Sequence, residues 1–344
     1  MTGTEPEVLA QTKGRLGHLI LNRPKAINAL TLSMVDAIAE ALERWAEDDS
    51  VETVALTGAG ERGLCAGGDI RTLYDATTTG DYDHAETFWR REYALNALIA
   101  EYPKPYVAVM DGVVMGGGVG VSAHASHRIV TESTKIGMPE VTIGYTPDVG
   151  TSLILSRATN ELGTYAALTG ATLGATDSIA VGLADTYVPS DRIDELLRRL
   201  ADEPVDAAIS AVADEPATET ELDAAQIASA FGHDDIESII AALDESGDQR
   251  TLDALGRAAP FSLAVTLRAL RNARSFERVQ ESLEQDLTLS LALIRRPDFR
   301  EGVRAAVIDK DRNPTWQPGS LVDVEDTDVD AVFNTVPDGA LRAE

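Results

Sequence analysis

Between Pro105 and Leu155 the chain reads PYVAVMDGVVMGGGVGVSA and then IGMPEVTIGYTPDVGTSLIL, and this stretch limits what the rest can be. The apolar, β-branched run Tyr106 to Met110 predicts a buried strand. Gly116, Gly117 and Gly118 then open a small-residue segment, Val119 to Ala125, that reads as a helix. A strand, a glycine turn and a helix start present free backbone N–H groups at the positive end of a helix dipole, and glycine lets a negative oxygen come close to them. That oxygen is either a phosphate or an oxyanion. The dinucleotide pattern G-x-G-x-x-G is not met by Gly116 to Val121, nor the hydrolase elbow G-x-S-x-G by Gly120 to His124, so Ser122 and His124 read as packing residues.

Two carboxylates follow, Glu140 in MPE and Asp148 in TPDVG, each preceded by proline at a break between apolar runs. Proline fixes the chain before each acid and holds both on short rigid turns. A plain role for Asp148 is to cap a helix over Val149 to Arg157. For Glu140 the plain role is a solvated loop residue, which its apolar surroundings fit poorly. Upstream, the strand reading of VETVALTGAG (Val51 to Gly60) leads into GLCAGGDI (Gly63 to Ile70), a second glycine turn of the same geometry and a candidate for the other half of an oxyanion site.

The formal net charge is -28, from 57 acidic and 29 basic residues in 344, and the lysines are Lys13, Lys25, Lys104, Lys135 and Lys310. Such a surface repels nucleic acid and anionic membrane, so neither is expected as a partner. The acids are spread through apolar periodicity instead of gathered in a tail, which predicts a folded protein of the salt-loving, lysine-poor type. Cys65 is the single cysteine and fits a reducing cytoplasm. No leader pattern and no run of ~18 apolar residues is seen, so a soluble, cytoplasmic protein is expected.

Along the chain, Val8 to Leu21 reads as strands around Gly14 and Gly17, Thr31 to Ala46 as a helix, and Ala85 to Ala100 as an amphipathic helix in which Glu92 looks solvated. A helix is expected over Ile193 to Asp202 and an exposed connection over Glu203 to Glu221. Helices are then expected over Asp223 to Phe231, Asp234 to Asp244, Thr251 to Ala258 and Ser262 to Arg295. The expected division is an α/β core over 1–202 and a mainly helical region over 203–344 packing on it.

NRPKAINAL, GLCAGGDI, VMGGGVG, MPEVTIGYTPDVG and FREGVRAAVIDKDRNPTW together resemble the crotonase (enoyl-CoA hydratase/isomerase) superfamily, and within it the 3-hydroxyisobutyryl-CoA hydrolase branch. The likeness runs from about Val8 to Trp316. It implies an α/β fold, the crotonase-type spiral of ββα repeats with a helical C-terminal region, and an acyl-CoA thioester as substrate. It also implies oxyanion-hole amides at Gly68 and Gly117, Glu140 as nucleophile or general base, Asp148 as the hydrolase-branch aspartate, and Glu92 as a substrate contact. CoA is expected along Arg23 to Ala26 and Ala66 to Ile70, thus at Arg23, Ala26, Ala66, Asp69 and Ile70, with Arg62 and Arg71 as weaker candidates. CoA is part of the substrate; no separate cofactor and no metal are implied, and a homo-oligomer stays open. Hydratases of the superfamily place a catalytic glutamate two residues after the triple glycine. Here that position is Gly120, which argues against hydration of a double bond and leaves an enoyl-CoA hydratase or isomerase as the alternative.

Overall fold

The protein was described from a computed structural model, which covers residues 5–335. Its main sheet is built from the expected apolar runs. The strands β1 (Val8–Lys13) and β2 (Leu16–Leu21) form an antiparallel hairpin that turns at Gly14, where φ is +58°; Gly17 lies within β2. Parallel pairing then carries the sheet through β3 (Thr53–Gly58), β4 (Tyr106–Met110), β6 (His127–Val130) and β8 (Thr186–Tyr187), in the order β1-β2-β3-β4-β6-β8. The short strands β5 (Val113–Met115) and β7 (Lys135–Gly137) form a second sheet, and Cys65 bridges Val114 in parallel at its edge. Along the chain this gives repeated turns of long strand, short strand and helix or 3-10 turn.

By contact density the chain divides into two compact units, each made of three stretches. The first comprises Met1–Gly68, Leu95–Ile136 and Leu173–Thr220; the second comprises Asp69–Ala94, Gly137–Thr172 and Glu221–Glu344. This division differs from the expected boundary at 202/203, because side chains far apart in sequence share each core. In the first unit, Leu16, Ala55, Val107 and Ile129 of the sheet bury against Leu196, Leu200, Val205, Ala208, Ile209 and Val212. The stretch expected as an exposed connection therefore contributes a buried helix, Val205–Ser210, because its apolar residues recur at helical spacing.

From Ile193 on, the described elements are all helical. The run expected as one helix over Ser262 to Arg295 is two, Pro260–Ala273 and Val279–Leu293. No helix among the described residues is long and apolar enough to cross a membrane.

Candidate active site

In the first unit two loops converge through a side chain that the sequence reading passed over. Asn28 is fully buried at φ +53° and donates from Nδ2 to the carbonyls of Ala59, Gly63 and Leu64 at 3.1, 3.2 and 3.1 Å. Its Oδ1 accepts from the Arg23 amide at 2.9 Å. The Ala66 amide donates to Ile27 and the Leu30 amide to Gly67, so the turn of Arg23 and Ala26 is knitted to the GLCAGG turn. Arg23 itself is engaged by Glu7 at 3.1 Å and by the Ala29 carbonyl, and Arg62 by the Pro24 and Lys25 carbonyls.

The GLCAGG turn also lies against the triple glycine. The Met115 amide donates to the Cys65 carbonyl at 2.9 Å, and a Cβ placed on Gly118 would sit 2.5 Å from that oxygen, so only glycine fits there. The short helix runs over Gly117–Ala123, two residues earlier than expected, because the glycines themselves enter its first turn. Ser122 is buried and donates to the Gly118 carbonyl at 2.6 Å, which bears out its reading as a packing residue. Among the described residues neither the Gly68 nor the Gly117 amide donates a hydrogen bond.

The second unit holds Asp69, Ile70, Glu92, Glu140 and Asp148. Asp69 and Ile70 open the helix Ile70–Thr79, whose Arg71 donates to the Val307 carbonyl at 3.1 Å. Glu140 begins a 3-10 turn, Glu140–Ile143, after Pro139 and is almost fully buried. The turn is pressed on the backbone of the C-terminal helix Pro297–Val303. A Cβ on Gly302 would lie 2.4 Å from the Ile143 carbonyl carbon, which gives a packing reason for the glycine of FREGV. Asp148 does not cap a helix. The helix there is Thr151–Ser156, preceded by Gly150, and it is the Asp148 carbonyl that accepts from the Thr151 amide and hydroxyl. Its side chain is thereby left for other work.

That side chain is cradled by two tyrosines. Tyr93 donates to Asp148 Oδ2 at 2.6 Å, and the Tyr145 hydroxyl lies 3.4 Å from the same oxygen. Ser290 Oγ donates to the Asp286 carbonyl at 2.6 Å and lies 2.7 Å from the Tyr93 hydroxyl and 2.5 Å from that of Tyr145. Each hydroxyl has one proton. With the Ser290 proton given to a carbonyl, Tyr145 donates to Ser290 and Tyr93 to Asp148, leaving Asp148 Oδ1 for a substrate or water. The Tyr145 ring is fixed by stacking on Trp89 at 5.9 Å and by the edge of Phe299.

Glu92 is 2% exposed, so the solvated reading is corrected: it shares the buried side of the helix Tyr82–Ala100 with Phe88, Trp89 and Tyr93, while Thr87 and Arg91 take the exposed side. Its Oε1 and Oε2 of Glu140 are buried without partners among the described residues. Burial pushes Glu140 well above the ordinary carboxylate range, and the field of Asp148 adds to this. Burial does the same to Glu92, helped by Asp148 and Glu140. Asp148 rises only to about 6, because burial is opposed by the hydrogen bond from Tyr93 and, more weakly, by the Tyr145 hydroxyl 3.4 Å away. Three carboxyls thus share one low-dielectric region, with Asp148 the first to ionise and Glu140 a base stronger than a solvated glutamate.

Along the helix Val279–Leu293, Ser282, Asp286 and Ser290 form a polar stripe at intervals of four, and all three are fully buried. They meet the Asp148 segment residue by residue: Ser290 with Tyr145, Asp286 with the Gly150 amide at 2.7 Å, and Ser282 with Ser152 at 2.6 Å. Tyr93 and Tyr145 stand beside acids singled out in the sequence. Asp286 and Ser290 carried no local signal.

A model of the enoyl-CoA hydratase/isomerase family matches residues 16–333. The chain belongs to this family. Among curated proteins it is 38% identical to "3-hydroxyisobutyryl-CoA hydrolase, mitochondrial" of Danio rerio, over 98% of this chain and 91% of that one. It is 37% identical to the protein of the same name in Homo sapiens, over 99% and 92%. Among solved structures it superimposes with a TM-score of 0.94 and 45% identity on a carnitinyl-CoA dehydratase from Mycobacterium thermoresistibile, covering 98% of this chain and 99% of that one. An enoyl-CoA hydratase from Rhodobacter sphaeroides gives a TM-score of 0.91 at 38% identity, over 98% and 100%. The fold is the crotonase-type α/β fold expected from the motifs.

Proposed function

We propose that the chain is an acyl-CoA thioester hydrolase that converts 3-hydroxyisobutyryl-CoA and water into 3-hydroxyisobutyrate and CoA, a step of valine breakdown. The observation that carries this reading is the set of acids. Glu140 and Asp148 are buried and electrostatically coupled, while the position of the hydratase glutamate is Gly120, with no side chain to act on carbon. Addition of water to a double bond needs both a base and a proton donor. Cleavage of a thioester needs one nucleophile or base and a place for the oxyanion.

In this reading Glu140 adds to the thioester carbonyl, or takes a proton from the water that does. The carbonyl oxygen becomes negative and is met by the Gly68 and Gly117 amides, each worth on the order of 3 kcal/mol of barrier. Collapse breaks the C–S bond and releases CoA as thiolate: on the general-base route the thiolate takes up the proton that Glu140 removed from water, and on the anhydride route water then hydrolyses the acyl-Glu140 anhydride and supplies the proton. Asp148 Oδ1 binds the 3-hydroxyl, and Glu92 completes the acyl site. CoA lies along Arg23, Ala26, Ala66, Asp69 and Ile70. The acidic, lysine-poor surface is assigned to a high-salt cytoplasm, where screening offsets its self-repulsion.

The dehydratase and hydratase names of the solved relatives favour a second reading, action on the double bond of an enoyl-CoA. Crotonyl-CoA and 3-hydroxyisobutyryl-CoA separate the two. Free thiol from the second, with the double bond of the first untouched, supports the hydrolase; loss of the double bond without thiol overturns it. A single turnover in ¹⁸O-water tests the anhydride route: label in Glu140, left when water attacks the glutamyl carbonyl of the anhydride, demonstrates it, since the general-base route never labels Glu140.

A further inference from the structure

We infer that Asp286 is a positioning residue for Asp148, acting through the Gly150 amide. The inference rests on the hydrolase reading only for the task given to Asp148. The turn after Asp148 is a strained one: Val149, a β-branched residue, has φ +53°, and Gly150 follows at φ +78°. Consecutive left-handed residues persist only where their surroundings over-determine them. One restraint lies within the turn, where the Asp148 carbonyl accepts from the Thr151 amide at 3.0 Å and hydroxyl at 2.7 Å. A second comes from outside it. Asp286 Oδ2 accepts the Gly150 N–H at 2.7 Å, from a helix that also holds Tyr145 and Ser152 through Ser290 and Ser282.

Of these three polar side chains on the Val279–Leu293 helix, Asp286 is the one that grips backbone inside the strained turn. It is 0% exposed, and its Oδ1 is buried with no partner among the described residues. A carboxyl in that position is costly to bury, and among the described residues the Gly150 N–H is the hydrogen-bond donor that offsets the cost. Burial first, and the field of Asp148 second, push Asp286 well above the ordinary carboxylate range. The same environment favours the neutral form, in which Oδ2 still accepts the Gly150 N–H. With the turn gripped from behind and Tyr93 donating in front, the Asp148 carboxyl has one direction.

The test compares Asp286→Asn, which keeps an acceptor oxygen, with Asp286→Leu, which removes it at similar volume; Asp286→Ala replaces the leucine variant if that does not fold. Thiol release and hydrogen–deuterium exchange of the 146–152 peptide are measured on the full chain. The expected result for Asp286→Leu is a fall in kcat on the order of 10²-fold with KM nearly unchanged, and faster exchange at Gly150. Asp286→Asn is expected to restore both. Parent-like kcat and exchange in the leucine variant overturn the inference, as does an asparagine variant as damaged as the leucine one, which would assign the effect to the acid proton. If the parent releases no thiol from any acyl-CoA, the hydrolase reading fails on its own, and the exchange comparison still decides the role of Asp286.

Discussion

Tyr93 donates its hydroxyl proton to Asp148 Oδ2 at 2.6 Å, in a site where no arginine or lysine among the described residues faces the carboxylate. The bond opposes the burial that raises Asp148, so it widens the pH range in which Asp148 is ionised. Tyr93→Phe removes a hydrogen bond to a charged group, worth about 1.5–3 kcal/mol, or roughly one to two pH units. The midpoint of Asp148 ionisation, about 6 in the parent, is expected to move up by that amount, read from the carboxyl stretch in infrared difference spectra against pH. An unmoved midpoint would show that the tyrosine does not act on Asp148.

Glu140→Gln keeps the shape of the side chain and removes its basicity. Thiol release is expected to fall by on the order of 10³-fold or more while acyl-CoA still binds. Single-turnover thiol release and a binding titration check this, and near-parent turnover in a folded variant rules out Glu140 as nucleophile or base. Asp148→Asn is expected to lower turnover severely as well. Because Asp148 caps no helix, its melting temperature should change little from loss of a cap.

The buried acids make stability depend on pH in the opposite sense from paired surface carboxylates. Glu92, Glu140, Asp148 and Asp286 all have folded-state values above their ordinary ones, so the folded protein holds these protons more tightly than the unfolded chain. Their contribution is present at low pH and is lost as pH rises through the folded values, beginning with Asp148 at about 6. Glu92→Gln removes one such group and is expected to raise the melting temperature at pH 8 more than at pH 5. Thermal scans at the two pH values measure this; an equal change at both would place the Glu92 proton elsewhere.

Asn28 is expected to be a stability residue. Asn28→Leu leaves three carbonyls, one buried and two partly so, without their donor and forces a side chain that disfavours φ +53° into that conformation. The loss is expected to be about 2–4 kcal/mol, read from denaturant midpoints. A change below about 0.5 kcal/mol, the range of ordinary surface substitutions, would show that the two loops hold together without it.

If the net charge of -28 is a salt adaptation, dilution should unmask repulsion as the Debye length grows from ~3 Å at 1 M to ~30 Å at 0.01 M. Melting temperature and thiol release are expected to fall together across that range. A protein unchanged in dilute buffer would separate its composition from salt.

What the sequence made legible were features with local causes: glycine turns after buried strands, proline-fixed acids, and helices with one apolar face. Glu140 and Asp148 were found in this way. Glu92 was misread because amphipathic periodicity assigns polar residues to solvent, and here the acid lies on the buried face while Thr87 and Arg91 take the wet one. The same rule hides Ser282, Asp286 and Ser290, whose spacing of four looks like the wet face of a helix and is in fact a buried one. Which side of a helix meets water is decided by what packs on it, and those partners lie more than a hundred residues away in the chain.

The three-stretch make-up of each unit constrains how the molecule can come into being. Leu16 and Ile209 belong to one apolar cluster, so the first core cannot close until residues near Thr220 have left the ribosome. At about 5–20 residues per second, the apolar face of the earliest strands must wait about ten seconds or more for the helices that cover it. The high contact order implied by such pairings predicts slow refolding and makes the nascent chain a client for chaperones. No contiguous fragment of the gene encodes either unit, so a truncation ending at residue 202 would yield aggregation-prone material in place of a minimal domain.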